Sequence, residues 1–157
     1  MTTRNIGTKI LHGLANPAWV CFTWFGMTAG ISMLATPLRF STPSVTRTVA
    51  LDLGRVVFSA LNTVELVALI ILLITVRVSH LARRRWWMVV LLAFFLVVQS
   101  AWLLPELAER AQQIAAGVEP PDSIAHAAYS TLEFAKLSLL LALGFATLSD
   151  RATFTAT

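Results

Sequence analysis

Residues 49–76 read VALDLGRVVFSALNTVELVALIILLITV. The stretch is longer than the ~20 apolar residues that a helix needs to cross ~30 Å of hydrocarbon. It nevertheless carries a row of strongly polar or ionisable side chains that includes Asp52, Arg55, Asn62 and Glu65. Because ionisable groups are costly in a bilayer, their presence in a spanning helix indicates a functional site. The stretch therefore predicts a transmembrane helix with a polar stripe.

A second stretch has the same character. Residues 124–148 read IAHAAYSTLEFAKLSLLLALGFATL, with polar groups at His126, Tyr129, Glu133 and Lys136. At ~100° per residue, the polar side chains fall within an arc of ~140° in the first stretch and ~80° in the second. Each stretch therefore predicts a helix with one polar face, and the two faces can meet inside a bundle.

The rest of the chain is also apolar. The 157 residues are 57% hydrophobic and 13% charged, with a mean hydropathy of +0.74, which excludes an ordinary soluble domain. Further apolar segments occupy about 17–35 and 86–104. We predict an all-α fold, a four-span transmembrane helix bundle with up-down-up-down topology. Residues 1–157 then form a single integral membrane domain, with spans at about 17–35, 49–76, 86–104 and 124–148.

The distribution of basic residues predicts the orientation. With four spans, one side of the membrane holds Arg4, Lys9, Arg77, Arg83, Arg84, Arg85 and Arg151. The other side holds fewer basic residues together with several acidic ones. Since Lys and Arg concentrate on the cytoplasmic side, we expect both termini in the cytoplasm, in a bacterial inner membrane. The arginine run before Trp86 fits an anionic membrane surface, and we expect no nucleic-acid partner.

Several local signals predict where the helices begin and end. Asn16-Pro17 is typical of a helix start, and Thr42-Pro43 repeats the pattern after a loop predicted at 37–47. Gly117 is expected to end a helical extension of the third span, and Asp122 or Ser123 to cap the fourth helix. Residues 8–14 suit a short turn at the membrane interface.

Small residues in the first span predict close packing. Gly26 and Gly30 form a G-x-x-x-G pair, which allows another helix to approach closely and is a candidate homodimer interface. Cys21 in the same span is expected to be a small packing residue.

Residues of the two polar stripes can be matched by their depth along the helices. Counting ~1.5 Å per residue from the outer ends, Asp52 matches His126, Arg55 matches Tyr129, Asn62 matches Glu133 and Glu65 matches Lys136. Gln99, Glu106 and Arg110 would add a polar face on the third helix, and Trp24, Thr28 and Ser32 one on the first. The predicted pocket opens outward between helices two, three and four and ends near the midplane, above apolar segments at 66–74 and 137–145.

The candidate binding residues for this pocket share polarity and membrane depth. They are Asp52, Arg55, Asn62, Glu65, Gln99, His126, Tyr129, Glu133 and Lys136. We favour binding or translocation of a small solute or ion, with Glu133 or Glu65 changing protonation and Lys136 or Arg55 as the counter-charge.

Other interpretations of the same residues stay open. The charges could form ion pairs, Glu65 with Lys136 and Arg55 with Asp52 or Glu133, that only fix the register of a structural subunit in a larger membrane complex. A membrane enzyme or cofactor protein could use His126, Glu133 and Glu65, with Asp52, as metal ligands, or His126 as a haem ligand. No soluble-enzyme motif supports an enzyme, and the sequence favours no metal or haem.

The chain resembles the transmembrane protein 205-like family and its bacterial four-span relatives. The resemblance rests on Gly26 and Gly30, the turn at 37–40, the end of span three at 102–105 followed by Arg110, and His126 opening span four. It implies a four-helix membrane bundle and a role in export of, or resistance to, toxic compounds. The charges at Glu133 and Lys136 depart from that group, and the resemblance implies no catalytic residues.

Overall fold

Four long helices form the protein in the computed structural model, which describes residues 16–78 and 85–155, with side chains described up to residue 149. They are α1 (Pro17–Ser41), α2 (Arg47–Val78), α3 (Trp86–Ala115) and α4 (Ala125–Thr155). In these ranges each helix is long and apolar enough to span a membrane. The predicted all-α four-helix bundle is confirmed. The expected turn at 8–14 and the basic residues Arg83 and Arg84 lie outside the described residues.

The four helices pack around a common axis. α1 contacts α2 and α4, and α3 also contacts α2 and α4, so that α2 and α4 lie diagonally across the bundle. Trp24 of α1 bonds to Glu65 of α2, whereas Arg39 further along α1 lies at Gly54 earlier in α2. Consecutive helices are therefore antiparallel, and α2 runs parallel to α4. We call the end of the bundle that holds the loop between α1 and α2 the pocket end.

Both odd-numbered helices contain a π-helical segment followed by a proline. The segments are Gly30–Ala35 in α1 and Gln99–Leu103 in α3, with Pro37 and Pro105 two residues beyond them. A proline inside a helix removes one hydrogen bond and clashes with the carbonyl four residues earlier, and the wider π turn relieves that clash. The helices therefore continue past their prolines.

This continuation corrects one predicted boundary. Residues 37–41 were expected in the loop but are helical, and the loop is confined to 42–46. Thr42-Pro43 is part of a turn in which the Val45 amide donates to the Thr42 carbonyl at 3.0 Å, so that the predicted helix start at these two residues is wrong. Thr46 precedes α2 instead, and its hydroxyl accepts from the Val49 amide at 3.4 Å.

The other predicted helix ends are confirmed. The Asn16 side chain accepts from the Ala18 amide at 3.1 Å, with Pro17 at the first helical position. Gly117 adopts φ 78°, the left-handed conformation in which glycine commonly follows a helix end. Ser123 caps α4 by accepting from the Ala125 amide at 3.1 Å, and its hydroxyl donates to Glu106 at 2.6 Å.

An apolar core fills the half of the bundle away from the pocket end. Its buried members come from all four helices and include Cys21, Leu72, Leu92, Leu140 and Leu143. This confirms the predicted apolar plug and the packing role of Cys21. Gly26 and Gly30 do not contribute to that packing, because a Cβ at either would meet nothing within 4 Å. No helix of the same chain approaches them closely, so the close approach predicted for this pair stays a prediction for a second copy of the chain.

Candidate functional site

The centre of the bundle holds an ammonium group between two carboxylates. Lys136 Nζ lies 2.7 Å from Glu65 Oε1 and 2.8 Å from Glu133 Oε2, and the Lys136 side chain is 0% exposed. Lys136 also donates to Gln99 Oε1 at 2.9 Å. Glu65, Gln99 and Glu133 are buried as well. We call Glu65, Gln99, Glu133 and Lys136 the buried charge cluster.

Glu65 is held from the side of α1. Trp24 Nε1 donates to Glu65 Oε1 at 2.8 Å, and the Thr28 hydroxyl donates to the same oxygen at 2.9 Å. Both donors are fully buried, and they lie four residues apart on one face of α1. Burial of a carboxylate is costly unless it is paired and hydrogen-bonded, and Glu65 meets both conditions.

Glu133 receives donors from both π-helical segments. The Ser32 hydroxyl of the α1 segment donates to Oε1 at 2.9 Å, and Gln99 Nε2 of the α3 segment donates to Oε2 at 2.8 Å. π-helical turns rotate the side chains that follow and are frequent at functional sites. The two π-helical segments therefore contain the two side chains, Ser32 and Gln99, that donate hydrogen bonds to Glu133.

The cluster carries one surplus negative charge when its ionisable groups are charged. Glu65 and Glu133 contribute two negative charges, and Lys136 contributes one positive charge. A net charge inside a membrane is unfavourable, so that a proton, a cation or a nearby positive side chain is expected to offset it.

A cavity of about 930 Å³ lies between the cluster and the pocket end. All four helices line it, with mostly apolar walls that include Met33, Phe58, Leu104 and Phe134. Of the buried charge cluster, Glu133 is the member that lines it. Glu133 therefore connects the open cavity with the buried ammonium of Lys136.

Three basic residues also line the cavity, namely Arg39, Arg55 and His126. Arg55 is paired on its own helix with Asp52, at 2.9 Å from Nη2 to Oδ1, and both side chains are largely exposed. His126 is exposed at the start of α4. Arg39 lies against α2 at Gly54, where its Nη2 would be 2.9 Å from a Cβ.

The structure keeps one of the four predicted pairs. Glu65 and Lys136 are in contact, whereas Asn62 accepts instead from the Ser100 hydroxyl at 2.6 Å. Tyr129 packs edge-on against Phe58, with ring centroids 5.8 Å apart, and Arg55 pairs with Asp52. Side chains of the diagonal helices α2 and α4 reach each other across the bundle axis only where they are long. Toward the pocket end, the cavity lies between these two helices.

The suggested metal ligands do not form a group of three among the described residues. Glu65 and Glu133 bond to Lys136, while His126 is seven residues before Glu133, about 10 Å along α4. Within residues 16–78 and 85–149, no three His, Cys, Asp or Glu side chains form a group that could hold a metal ion.

Arg39 was not among the predicted pocket residues, because residues 37–47 were predicted to form a loop. The signal that could have found it is Gly54, a small residue opposite it in a spanning helix, since such residues admit close neighbours.

The helices and the buried charges together define an integral membrane protein built as a four-helix bundle, whose spans contact the lipid bilayer. Residues 19–116 match the family described as Domain of unknown function (DUF4149), and the chain belongs to that family. The matched region covers most of α1 and all of α2 and α3, and stops before Glu133 and Lys136 on α4. The description names neither an activity nor the transmembrane protein 205-like group. No curated protein and no solved structure matches the chain.

Proposed function

We propose that the protein binds or translocates a small solute or ion through the cavity above Glu133. The observation that supports this proposal most is the double role of Glu133, which lines the cavity and bonds directly to Lys136. A solute that enters the cavity therefore meets a carboxylate whose charge is balanced by a shared, buried ammonium. Carboxylates with such partners inside membranes are typical of proton-coupled transport.

The surplus negative charge gives the proposal a mechanism. A proton bound by the Glu65 and Glu133 pair makes the cluster neutral, and loss of that proton leaves Lys136 shared between two carboxylates. The groups that face Glu133 are Ser32, Gln99 and Lys136, and the cavity adds Arg39, Arg55 and His126. Binding in the cavity changes the field at Glu133 and so couples occupancy to protonation.

The experiment compares Glu133→Gln with wild type in proteoliposomes that contain a pH-sensitive dye. Candidate solutes are organic acids, organic amines and metal cations, each presented as a gradient. We expect a flux for one of these classes that Glu133→Gln abolishes. Glu119→Gln, at an exposed carboxylate of the α3–α4 loop, serves as the control and should keep the flux. A flux unchanged in Glu133→Gln for every solute would contradict the proposal.

A structural subunit of a larger membrane complex is the second candidate. It is favoured by the mutual satisfaction of the cluster, in which both carboxylates and the ammonium have several hydrogen-bond partners. Under this alternative, the triple change Glu65→Gln, Glu133→Gln and Lys136→Met should preserve both the fold and the complex. Under the binding proposal, the same variant keeps its fold and loses the flux.

The proposal includes an orientation in a bacterial inner membrane. Arg77 and Arg85 lie at the end opposite the pocket end, which is the side on which the sequence predicts the excess of basic residues. By the excess of basic residues, that end faces the cytoplasm and the pocket opens on the outer side. Labelling of a cysteine introduced at Ser44 by a reagent that cannot cross membranes tests this. Export or resistance, as the resemblance to the transmembrane protein 205-like group implies, would fit an outward-facing pocket.

A further inference from the structure

Arg39 is a cavity residue with one buried hydrogen-bond donor that has no partner. Among the side chains that the structure describes, its Nε is the buried polar atom without a hydrogen-bond partner. Buried polar groups are nearly always paired, so an exception calls for a missing partner. Arg39 lines the cavity, so part of its side chain borders space that a ligand can occupy.

A glycine of α2 leaves space for this guanidinium. Gly54 of α2 lies opposite Arg39, and a Cβ at that position would be 2.9 Å from Nη2. The Cζ atom of Arg39 also lies 5.3 Å from the centre of the Phe40 ring. Glycine is less favourable than alanine in a helix interior, and here it leaves space for the Arg39 side chain.

No carboxylate of the described residues forms an ion pair with Arg39. Asp52 is the acidic residue of α2 nearest to Gly54 in sequence, and it pairs with Arg55. Glu133 is held by Lys136, and Arg39 lies seven residues beyond the Ser32 that bonds to Glu133, about 10 Å toward the pocket end. Arginine binds phosphate and carboxylate groups through paired, charge-assisted hydrogen bonds. The unused partner of Arg39 is therefore an anion.

The walls of the cavity indicate what is attached to that anion. The lining of the cavity is mainly apolar and includes Met33, Phe58 and Leu137. An anionic group at Arg39 with an apolar tail in this space would fill both parts of the cavity.

We propose that Arg39 is the anion-binding residue of the cavity and that the ligand is an anionic amphiphile, with a phosphate or carboxylate head and an apolar chain. This inference rests on the proposed function, because it assigns a ligand class to the same cavity. The ligand can be a lipid of the membrane or a smaller soluble amphiphile, since both present the same head group to Arg39.

Native mass spectrometry of the full chain in a neutral maltoside detergent tests the inference. The probes are dodecyl phosphate, dodecyltrimethylammonium, a diacyl phosphatidic acid and inorganic phosphate. We expect saturable binding of dodecyl phosphate that is at least tenfold tighter than binding of dodecyltrimethylammonium or inorganic phosphate. Preference for phosphatidic acid over dodecyl phosphate identifies a membrane lipid, and the reverse preference identifies a smaller amphiphile.

Three variants complete the experiment. Arg39→Gln should weaken dodecyl phosphate binding about tenfold, the loss expected for a charge-assisted hydrogen bond. Gly54→Ala should also weaken it while helix content and melting temperature stay at wild-type values, because the added Cβ displaces only the flexible end of Arg39. Arg47→Gln, which removes an exposed charge at the same end of the bundle, is the matched control and should bind as wild type.

The outcomes separate the inference from the proposal beneath it. Binding that is equal in wild type and folded Arg39→Gln, or a preference for the cationic probe, would overturn the anion assignment and leave a cavity that binds another solute. Absence of saturable binding for every probe, together with unchanged flux in Glu133→Gln, would overturn both.

Discussion

Lys136 and Glu65 stand 71 residues apart in the chain, and their side chains meet at 2.7 Å across the diagonal of the bundle. Because Lys136 is shared with Glu133, the contact is one part of a cluster with two carboxylates and one ammonium. Because of this charge imbalance, removal of the ammonium and removal of a carboxylate should change the stability of the protein by different amounts.

We expect Lys136→Met to be far more destabilising than Glu65→Gln. Loss of the ammonium leaves two buried carboxylates without a counter-charge, which costs about 3–5 kcal/mol in the free energy of unfolding. Loss of one carboxylate leaves Glu133 and Lys136 as a balanced pair. Chemical unfolding in detergent, followed by circular dichroism, measures both values. Equal losses in the two variants would show that the surplus charge has no energetic role.

Trp24 should be the tryptophan on which stability depends most in α1. Trp24→Phe removes the donor that lies 2.8 Å from Glu65 Oε1, and a hydrogen bond to a charged group contributes about 1.5–3 kcal/mol. Trp19→Phe is the matched control, because Trp19 is 67% exposed on the same helix. We expect a lower melting temperature for Trp24→Phe alone. A similar decrease in both variants would argue against the bond to Glu65.

Two glycines of the spans should respond oppositely to alanine. A Cβ at Gly144 would lie 2.9 Å from the Phe22 ring, so Gly144→Ala should cost about 1–3 kcal/mol through overpacking. A Cβ at Gly26 meets nothing within 4 Å, and Gly26→Ala should leave the monomer as stable as wild type or slightly more stable. Melting temperatures of the two purified variants decide between these expectations.

The outward position of Gly26 and Gly30 leaves the predicted homodimer testable. If the G-x-x-x-G face joins two copies, Gly26→Leu should shift the protein from dimer to monomer without lowering the stability of the chain itself. Analytical ultracentrifugation in density-matched detergent measures the oligomeric state. An unchanged state would remove this face as the dimer interface.

Sequence alone predicted the parts of the fold that depend on composition and local capping. The apolar lengths predicted four spans, and Asn16, Ser123 and Gly117 predicted helix ends that the structure confirms. The pairing of Glu65 with Lys136 followed from equal depth on parallel helices, because both side chains are long enough to reach the axis.

The remainder of the site could not be predicted because it depends on tertiary packing. Whether Pro37 ends a helix or follows a π turn is not visible in periodicity, and this kept Arg39 out of the predicted pocket. Asn62 bonds to Ser100 of a neighbouring helix that depth matching between α2 and α4 did not consider. To predict hydrogen-bond partners on adjacent helices, the rotation of each helix about its own axis must be known. A sequence gives that rotation only approximately.

We propose that the cavity lined by Arg39 and Glu133 holds a ligand. An experimental density map of the full chain, purified from its native membrane in neutral detergent, tests this proposal. We expect elongated non-protein density inside the cavity, with its polar end within hydrogen-bonding distance of Arg39 and its other end directed toward Glu133. A cavity closed by α1 packed against α4, with protein side chains in place of that density, would contradict it.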